Sequence, residues 1–333
     1  MRPPSPLRRW IGDGVVWDNH ACMPLDPHDL SRMPELERCR QAGVDVVSIN
    51  VASGDQPPVA ALRMLAAFRQ WIADHDDSAF QVECADDAER ARALGKIGIC
   101  FDVEGMAALG GRLDMVQRLY ELGVRWMLTA YNRGNAVGGG CLDEEDGGLT
   151  PFGRAVVAEM NHVGMVVCGS HAGHRTAREL IDTSATPVIF SHSNPRTVWN
   201  SARNIDDDLM IACARRGGVV GLNGIGAFLG SNDDRTESFV RHVDYALDLI
   251  GEDHVGLALD YCFGEEGGLR DFMGAFPTLF PPEHGYMTDG LRMIAPWRLG
   301  EIAEMLATRG IGTSTLGKLF GGNHLRIART VWK

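Results

Sequence analysis

KIGICFDVEG, residues 96–105, is an apolar run that ends on carboxylates, Asp102 and Glu104. LDMVQRLYELG (113–123) follows with helical periodicity and a terminal Gly, and VRWMLTAYN (124–132) returns to a β-rich run. A strand, a segment able to cross back as a helix and a second strand make a parallel unit. The fold depends on whether this unit repeats along the chain.

It repeats in both directions. Upstream lie VVWDNH (15–20) and VDVVSIN (44–50); downstream come MVVCGSH (165–171), PVIFSHS (187–193), VVGLNG (219–224) and VGLALDY (255–261), which makes eight candidate strands. Between them PVAALRMLAAFRQWIADH (58–75), TPFGRAVVAEMNHVG (150–164), HRTARELIDT (174–183), DDLMIACARRG (207–217) and TESFVRHVDYALDLIG (236–251) read as amphipathic helices. Several begin near Asp, Thr or Pro and end in Gly, the chemistry of helix ends. Strand then helix, about eight times, predicts an α/β fold of the (β/α)8 TIM-barrel type. An open doubly wound sheet is the alternative, but no GxGxxG opens the first helix.

Two stretches do not fit the alternation. GNAVGGGCLDEEDGG (134–148) is Gly-rich and polar, and FGEEGGLRDFMGAFPTLFPPEHGYMTDG (263–290) is a long insertion after the last strand. Both follow strands, so in a barrel both belong to the C-terminal face, where long loops shape substrate pockets. Residues 1–333 show no linker or internal repeat, and we expect a single domain.

Composition narrows the function. With 45% hydrophobic and 23% charged residues the chain can build a sizeable core. A net charge of −12 and the lack of a dense Lys/Arg run argue against nucleic-acid or anionic-membrane partners and for a small-molecule substrate. MRPPSPLRRW has no apolar run behind its arginines, and no apolar segment reaches the roughly 18 to 20 residues that cross a bilayer. The eight cysteines (22, 39, 84, 100, 141, 168, 213, 262) form no CxxC pair. The expectation is a cytoplasmic protein with reduced thiols.

Residues with ligand chemistry fall at the C-terminal ends of different strands: His20, Glu104, His171, His192 and Asp260. A barrel brings those ends to one mouth. Imidazoles with a carboxylate suit zinc or a similar divalent ion, and Glu104 could bridge two ions through its two oxygens. A pair about 3.5 to 4 Å apart generates hydroxide at neutral pH and polarises a carbonyl. Asp260 would then hold or accept the proton of the attacking water.

From about residue 12 onward the chain resembles the membrane (renal) dipeptidase family, the M19 metallopeptidases. The matching segments are DNHACMP (18–24), FDVEG (101–105), MLTAYNRGN (127–135), GGLTPFGRAVVAEMNHVGMVV (147–167), GSHAG (169–173), IFSHSNPRTVWNSARNIDDD (189–208), GLALDY (256–261) and FGGNHLRI (320–327). The resemblance implies a metallo-dependent hydrolase barrel with a binuclear Zn2+ site. His20 falls on the first-metal histidine, Glu104 on the bridging glutamate, and His171 and His192 on the second-metal histidines. Asp260 falls on the catalytic aspartate and Arg203 on the arginine that receives the substrate carboxylate. The family cleaves dipeptides and tolerates D-residues at the C-terminal position, and it suggests a homodimer.

Two positions depart from the pattern. The family's His-x-Asp is here His20-Ala21-Cys22, and Tyr131 stands where the family carries a histidine that contacts the polarised carbonyl. Cys22 reads either as a small buried hydrophobe or as a thiolate ligand of the first metal. Without it the expectation is a single ion on Glu104, His171 and His192. Tyr131 reads either as a hydrogen-bond donor near the oxyanion or as a pocket wall, and the polar role is preferred. Asp18, Asp102 and Asn132 are expected to support the ligands, and His174 and His324 to lie at the surface or at helix caps.

The expected activity is therefore a zinc-dependent dipeptidase-like hydrolase, using one or two ions to cleave a dipeptide or a related carboxylate-bearing amide. The competing expectation is a barrel that binds metal or a small ligand without peptidase activity. A non-hydrolytic lyase is a third possibility.

Overall fold

A computed structural model describes residues 6–264, 266–284, 286 and 290–333, with backbone only for 266–268. The reading of the first five residues and of positions 265, 285 and 287–289 in the second insertion lies outside the described residues.

Ten strands form one parallel sheet among the described residues. They are β1 (Trp17–Cys22), β2 (Val46–Ser53), β3 (Ala79–Gln81), β4 (Ile97–Glu104), β5 (Val124–Leu128), β6 (Val166–Cys168), β7 (Ile189–Phe190), β8 (Val219–Leu222), β9 (Val255–Leu257) and β10 (Tyr261–Cys262). Their order is β10-β1-β2-β4-β5-β6-β7-β8-β9, with β3 attached to β4 off this path. β9 and β10 are two halves of one crossing. β9 pairs with β8, and after three residues β10 pairs with β1 in the register Ala21 to Tyr261 and Cys22 to Cys262. The Asp260 N–H donates to the His20 carbonyl at 2.9 Å and the Phe263 N–H to the Cys22 carbonyl at 2.8 Å. The sheet thus curls until its last strand meets its first, as the eightfold alternation predicts.

The sequence builds these elements for identifiable reasons. All eight residues of β2 and of β4 are buried, because a strand between barrel interior and helical shell is apolar on both faces. The helix Pro151–Val163 starts with Pro at N1, its Thr150 Oγ1 accepts from the Gly153 N–H at 2.9 Å, and Gly164 closes it at φ 92°. Helices Pro58–Asp74, His174–Thr183, Asp207–Arg215 and Thr236–Ile250 fall within a residue or two of the periodic segments. Asp207 and Asp208 occupy the first turn of their helix, where the dipole favours negative charge.

The insertion after the last strand carries a helix, Glu266–Ala275, and a short turn, Pro282–His284. Its Met273, Leu279, Phe280 and Tyr286 pack with Leu142, Ile225 and Phe228 as a separate apolar cluster. Asn132 Nδ2 donates to the Leu279 carbonyl at 2.7 Å, which ties this cluster to the end of β5. The Gly-rich loop is pinned as well: Asp143 Oδ2 accepts from the N–H groups of Gly134 and Gly140, and Asp146 accepts from Gly148 and Thr176.

His324 departs from expectation. It is 4% exposed, and its Nε2 lies 2.9 Å from the Leu257 carbonyl, holding the terminal helix Asn323–Val331 against β9. Room exists because residue 256 is glycine; a Cβ there would sit 2.4 Å from His324 Nε2. His174 stays half-exposed, with Asp206 at 2.9 Å and Asp208 at 3.3 Å.

Candidate metal centre

His20 ends the inward face of β1 and is fully buried. Its Nε2 lies 3.2 Å from Glu104 Oε1 and 3.4 Å from Asp260 Oδ1, and its Nδ1 faces Asp102 Oδ2 at 3.4 Å. Glu104, the last residue of β4, also meets His192 Nε2 at 3.5 Å and His171 Nε2 at 3.7 Å through the same oxygen. Three imidazole nitrogens from three strand ends therefore surround one carboxylate oxygen. The remaining strand-end candidate, Asp260, joins them directly, and so does Cys22, with Sγ 3.6 Å from His20 Nε2 and 3.5 Å from Asp260 Oδ1. All five ligand-type residues predicted at strand ends, and Cys22, converge on one buried cluster.

Amide side chains fix the directions of these groups. Asn132 Nδ2 is committed to the Leu279 carbonyl, so its Oδ1 is the atom 2.7 Å from His171 Nδ1. That oxygen can only accept, so His171 carries hydrogen on Nδ1 and aims the Nε2 lone pair at the centre. Asn223 Oδ1 accepts from the Ile225 N–H, and its Nδ2 donates to Asp260 Oδ2 at 2.8 Å. Asn50 Nδ2 donates to Glu104 Oε2 at 3.0 Å, which leaves Oε1 for the imidazoles. Ser191 Oγ lies 2.8 Å from His192 Nδ1. The supporting roles expected of Asp18, Asp102 and Asn132 take concrete form: Asp18 Oδ1 accepts from the Leu259 N–H at 2.8 Å, beside the sheet's closure. Asn50, Asn223 and Ser191 went unread in the sequence, although Asn50 lies within β2 and Asn223 directly follows β8.

The backbone is strained here. Four described non-glycine residues have positive φ, and three belong to this centre: Asn132 (58°), His171 (64°) and Asp260 (56°). Each follows a strand end and turns its side chain inward where an extended backbone would carry it past.

Charge is distributed unevenly. Burial opposes a proton on His20, but the carboxylates of Glu104 and Asp102 outweigh it and hold the imidazole well above its ordinary value. Burial and Arg203 hold His171 well below its ordinary value, and burial and His20 do the same to His192. Both rings thus offer lone pairs. Burial pushes Asp102 up to about 7 against the pull of His20. Asp260 stays below the usual carboxylate range: burial raises it, but His192, His20 and Arg203 together prevail. The Cys22 thiol is pushed up by its hydrogen bond with Cys262, by burial and by the nearby carboxylates.

The donor set fits a divalent cation. Glu104, His171 and His192 place one ligand atom each within 4.8 Å of one another, and so do His20, Cys22 and Glu104. Nitrogen, carboxylate oxygen and sulfur are the donors that intermediate ions take, and Glu104 is common to both groups. Beside the centre lies Arg203, 3% exposed, with Nη2 3.0 Å from His171 Nε2. Its Nε and Nη1 are buried without a hydrogen-bond partner. A buried guanidinium with two free N–H donors is built for an anion.

Tyr131 stacks on His171 with ring centroids 4.5 Å apart and meets Phe280 edge-on at 5.9 Å. It also lines a cavity of about 450 Å³ with Gly54, Met106, Arg133 and Leu279. Its ring is a wall, and burial with the charge of Glu104 keeps the phenol protonated by pushing it well above its ordinary value.

The sequence matches the model of the membrane dipeptidase family, peptidase family M19, over residues 24–280. An uncharacterized dipeptidase of Schizosaccharomyces pombe is 33% identical over 231 residues, 66% of this chain and 55% of that protein. The dipeptidase tcpJ of Claviceps purpurea is 30% identical over 251 residues, 74% of this chain and 54% of that protein. The chain thus spans about half the length of the curated relatives it matches. Among solved structures, an amidohydrolase from Pseudomonas aeruginosa superimposes with a TM-score of 0.88 at 27% identity, covering 98% of this chain and 99% of that one. A metallo peptidase from Rhodobacter sphaeroides, liganded with a phosphinate mimic of the dipeptide L-Ala-D-Ala, shares the fold with a TM-score of 0.78 at 21% identity, covering 96% of this chain and 100% of that one.

Proposed function

This chain belongs to the membrane dipeptidase family, peptidase family M19, and on that premise we propose that it is a zinc-dependent hydrolase that cleaves a dipeptide or a related small amide bearing a carboxylate. One observation carries the reading: three imidazoles meet one Glu104 oxygen in a cluster that also holds the Asp260 carboxylate and a half-satisfied buried arginine. Metal ligands, a proton carrier and an anion receptor are the parts that amide hydrolysis needs.

His20, Glu104, His171, His192 and Cys22 would hold the metal. Bound there, it supplies Lewis acidity that lowers the pKa of a water and polarises a carbonyl. The remaining work falls to the chain's own side chains. Arg203 would take the two oxygens of the substrate carboxylate on an edge of its guanidinium, which fixes where the scissile bond lies relative to Glu104. Asp260, held through Oδ2 by Asn223, keeps Oδ1 toward the centre. It would accept a proton from the attacking water and return it to the leaving nitrogen. Leu279, Phe280 and Tyr286, in an apolar cluster against which Tyr131 packs, would keep bulk water from the reacting groups. Tyr131, stacked on His171, would shape the pocket and leave its phenol O–H to donate to the developing oxyanion.

The test is metal analysis joined to a substrate screen. The protein should retain zinc through gel filtration and hydrolyse members of a panel of dipeptides, including ones with a D-residue at the C-terminal position, or N-acyl amino acids. Asp260→Asn should keep the metal and lose roughly 10²- to 10⁴-fold in kcat. Bound zinc without turnover of any amide would mark a binding protein instead, and full activity of Asp260→Asn would take the proton transfer away from Asp260.

A further inference from the structure

β10 contributes a second sulfur beside the first. Cys22 and Cys262 are register partners on the neighbouring strands that close the barrel. Cys22 follows His20 by two residues on β1 and so shares its face, and Cys262, its register partner, carries its side chain to the same face of the sheet. Cys22, Asp260 and Cys262 each place a ligand atom within 4.8 Å of the others, and Cys22 shares a second such group with His20 and Glu104. A third sulfur is close: Met293 Sδ lies 3.4 Å from the Cys262 backbone nitrogen. Two imidazoles and Glu104 make up the other donor group of the centre, and this rim is soft.

We propose that Cys262 is a metal-binding residue, acting with Cys22 as a dithiol that supplies two sulfurs to the cation position next to His20. The inference rests on the hydrolase reading only for the presence of a cation there. Two adjacent sulfurs do more than replace one carboxylate. Thiolate donors select zinc, cobalt or cadmium over manganese and magnesium, and a two-sulfur edge makes that preference strong. Each thiol gives up its proton to solvent on binding, and no oxidant or reductant is required. The position on Glu104, His171 and His192 keeps only nitrogen and oxygen donors, so the two positions would differ in metal preference.

Sulfur–metal bonding can be read without turnover. The full chain, reduced and then loaded with Co2+ under argon, should show sulfur-to-cobalt charge-transfer absorption in the near ultraviolet. The band should fall by about half in Cys262→Ser and in Cys262→Ala, as two equivalent sulfur donors require. It should vanish in the Cys22→Ser, Cys262→Ser double variant, which should still bind cobalt on Glu104, His171 and His192. Cobalt bound with no charge-transfer band, or a band of full intensity in both Cys262 variants, overturns the proposal. Amide turnover measured in parallel separates the two ideas: a band without turnover removes the hydrolase and keeps the dithiol, and turnover without a band does the reverse. A chain that binds no cobalt overturns both.

Discussion

Replacing Arg203 with Met removes a charge while keeping most of the volume, and its effects on activity and on stability should have opposite signs. In the protein without metal or substrate the guanidinium is 3% exposed, and it donates to His171 Nε2 at 3.0 Å and weakly to the His192 carbonyl at 3.5 Å. Those bonds are worth about 1 kcal/mol each. Against them stands the desolvation of a full charge with two idle donors, several kcal/mol even after relaxation. The urea midpoint of Arg203→Met should therefore hold or rise. Activity should collapse, because truncating one partner of a buried hydrogen-bonded charge pair costs about 2–5 kcal/mol. At about 1.4 kcal/mol per decade this is a loss of roughly thirty- to several-thousand-fold in kcat/KM. The decisive assay crosses enzyme with substrate: a dipeptide and its C-terminal carboxamide, each with wild type and Arg203→Met. Wild type should lose as much from the carboxamide as from the mutation, and Arg203→Met should not distinguish the two substrates. Arg203→Lys should recover only part, since a point charge lacks the fork. If Arg203→Met still prefers the free carboxylate by the wild-type factor, the anion site lies elsewhere.

Asn132 sits at φ 58°, so Asn132→Gly deletes the amide that orients His171 without a backbone penalty. It should weaken metal affinity about ten- to a hundredfold in a chelator competition, as loss of a ligand's hydrogen-bond partner commonly does; unchanged affinity would show that His171 needs no such support. A second expectation concerns pH and His324, whose pKa burial depresses from 6.5 to about 4 despite the Leu257 carbonyl. The folded state then binds fewer protons than the unfolded state. The stabilisation is complete above about pH 6.5 and is lost as pH falls toward about 4. Between pH 7 and pH 5 the wild type should lose about 2 kcal/mol more unfolding free energy than His324→Gln, read from urea titrations. Parallel losses in the two proteins would contradict this account.

The barrel was legible because its signals are local. Gly164 after a periodic run and Pro151 at its start mark a helix without tertiary knowledge, and eight apolar runs with polar ends describe the eight crossings. The ligands were legible for the same reason: Glu104 and His192 end or follow strands, and barrel topology does the rest. What escaped was direction and register. Asn50, Asn132 and Asn223 look like ordinary turn residues, and their function depends on which way each amide is held by partners such as the Leu279 carbonyl. The pairing of Cys262 with Cys22 exists only once the sheet has closed. β3 is three residues long and leaves no periodic trace. His324 follows Gly322 and Asn323 and resembles a cap, yet the missing side chain of Gly256, nearly seventy positions earlier, opens the space that buries it.

The closure between β1 and β10 has a consequence for how the molecule is made. Cys22 and Asp260, in contact across it, are 238 residues apart. A chain leaving the ribosome can form the crossings from β2 to β8 while Asp260 is still unsynthesised. Only the docking of the final stave on the first completes the ligand shell, so acquisition of a cation should lag behind collapse and report the last, highest-contact-order event of folding.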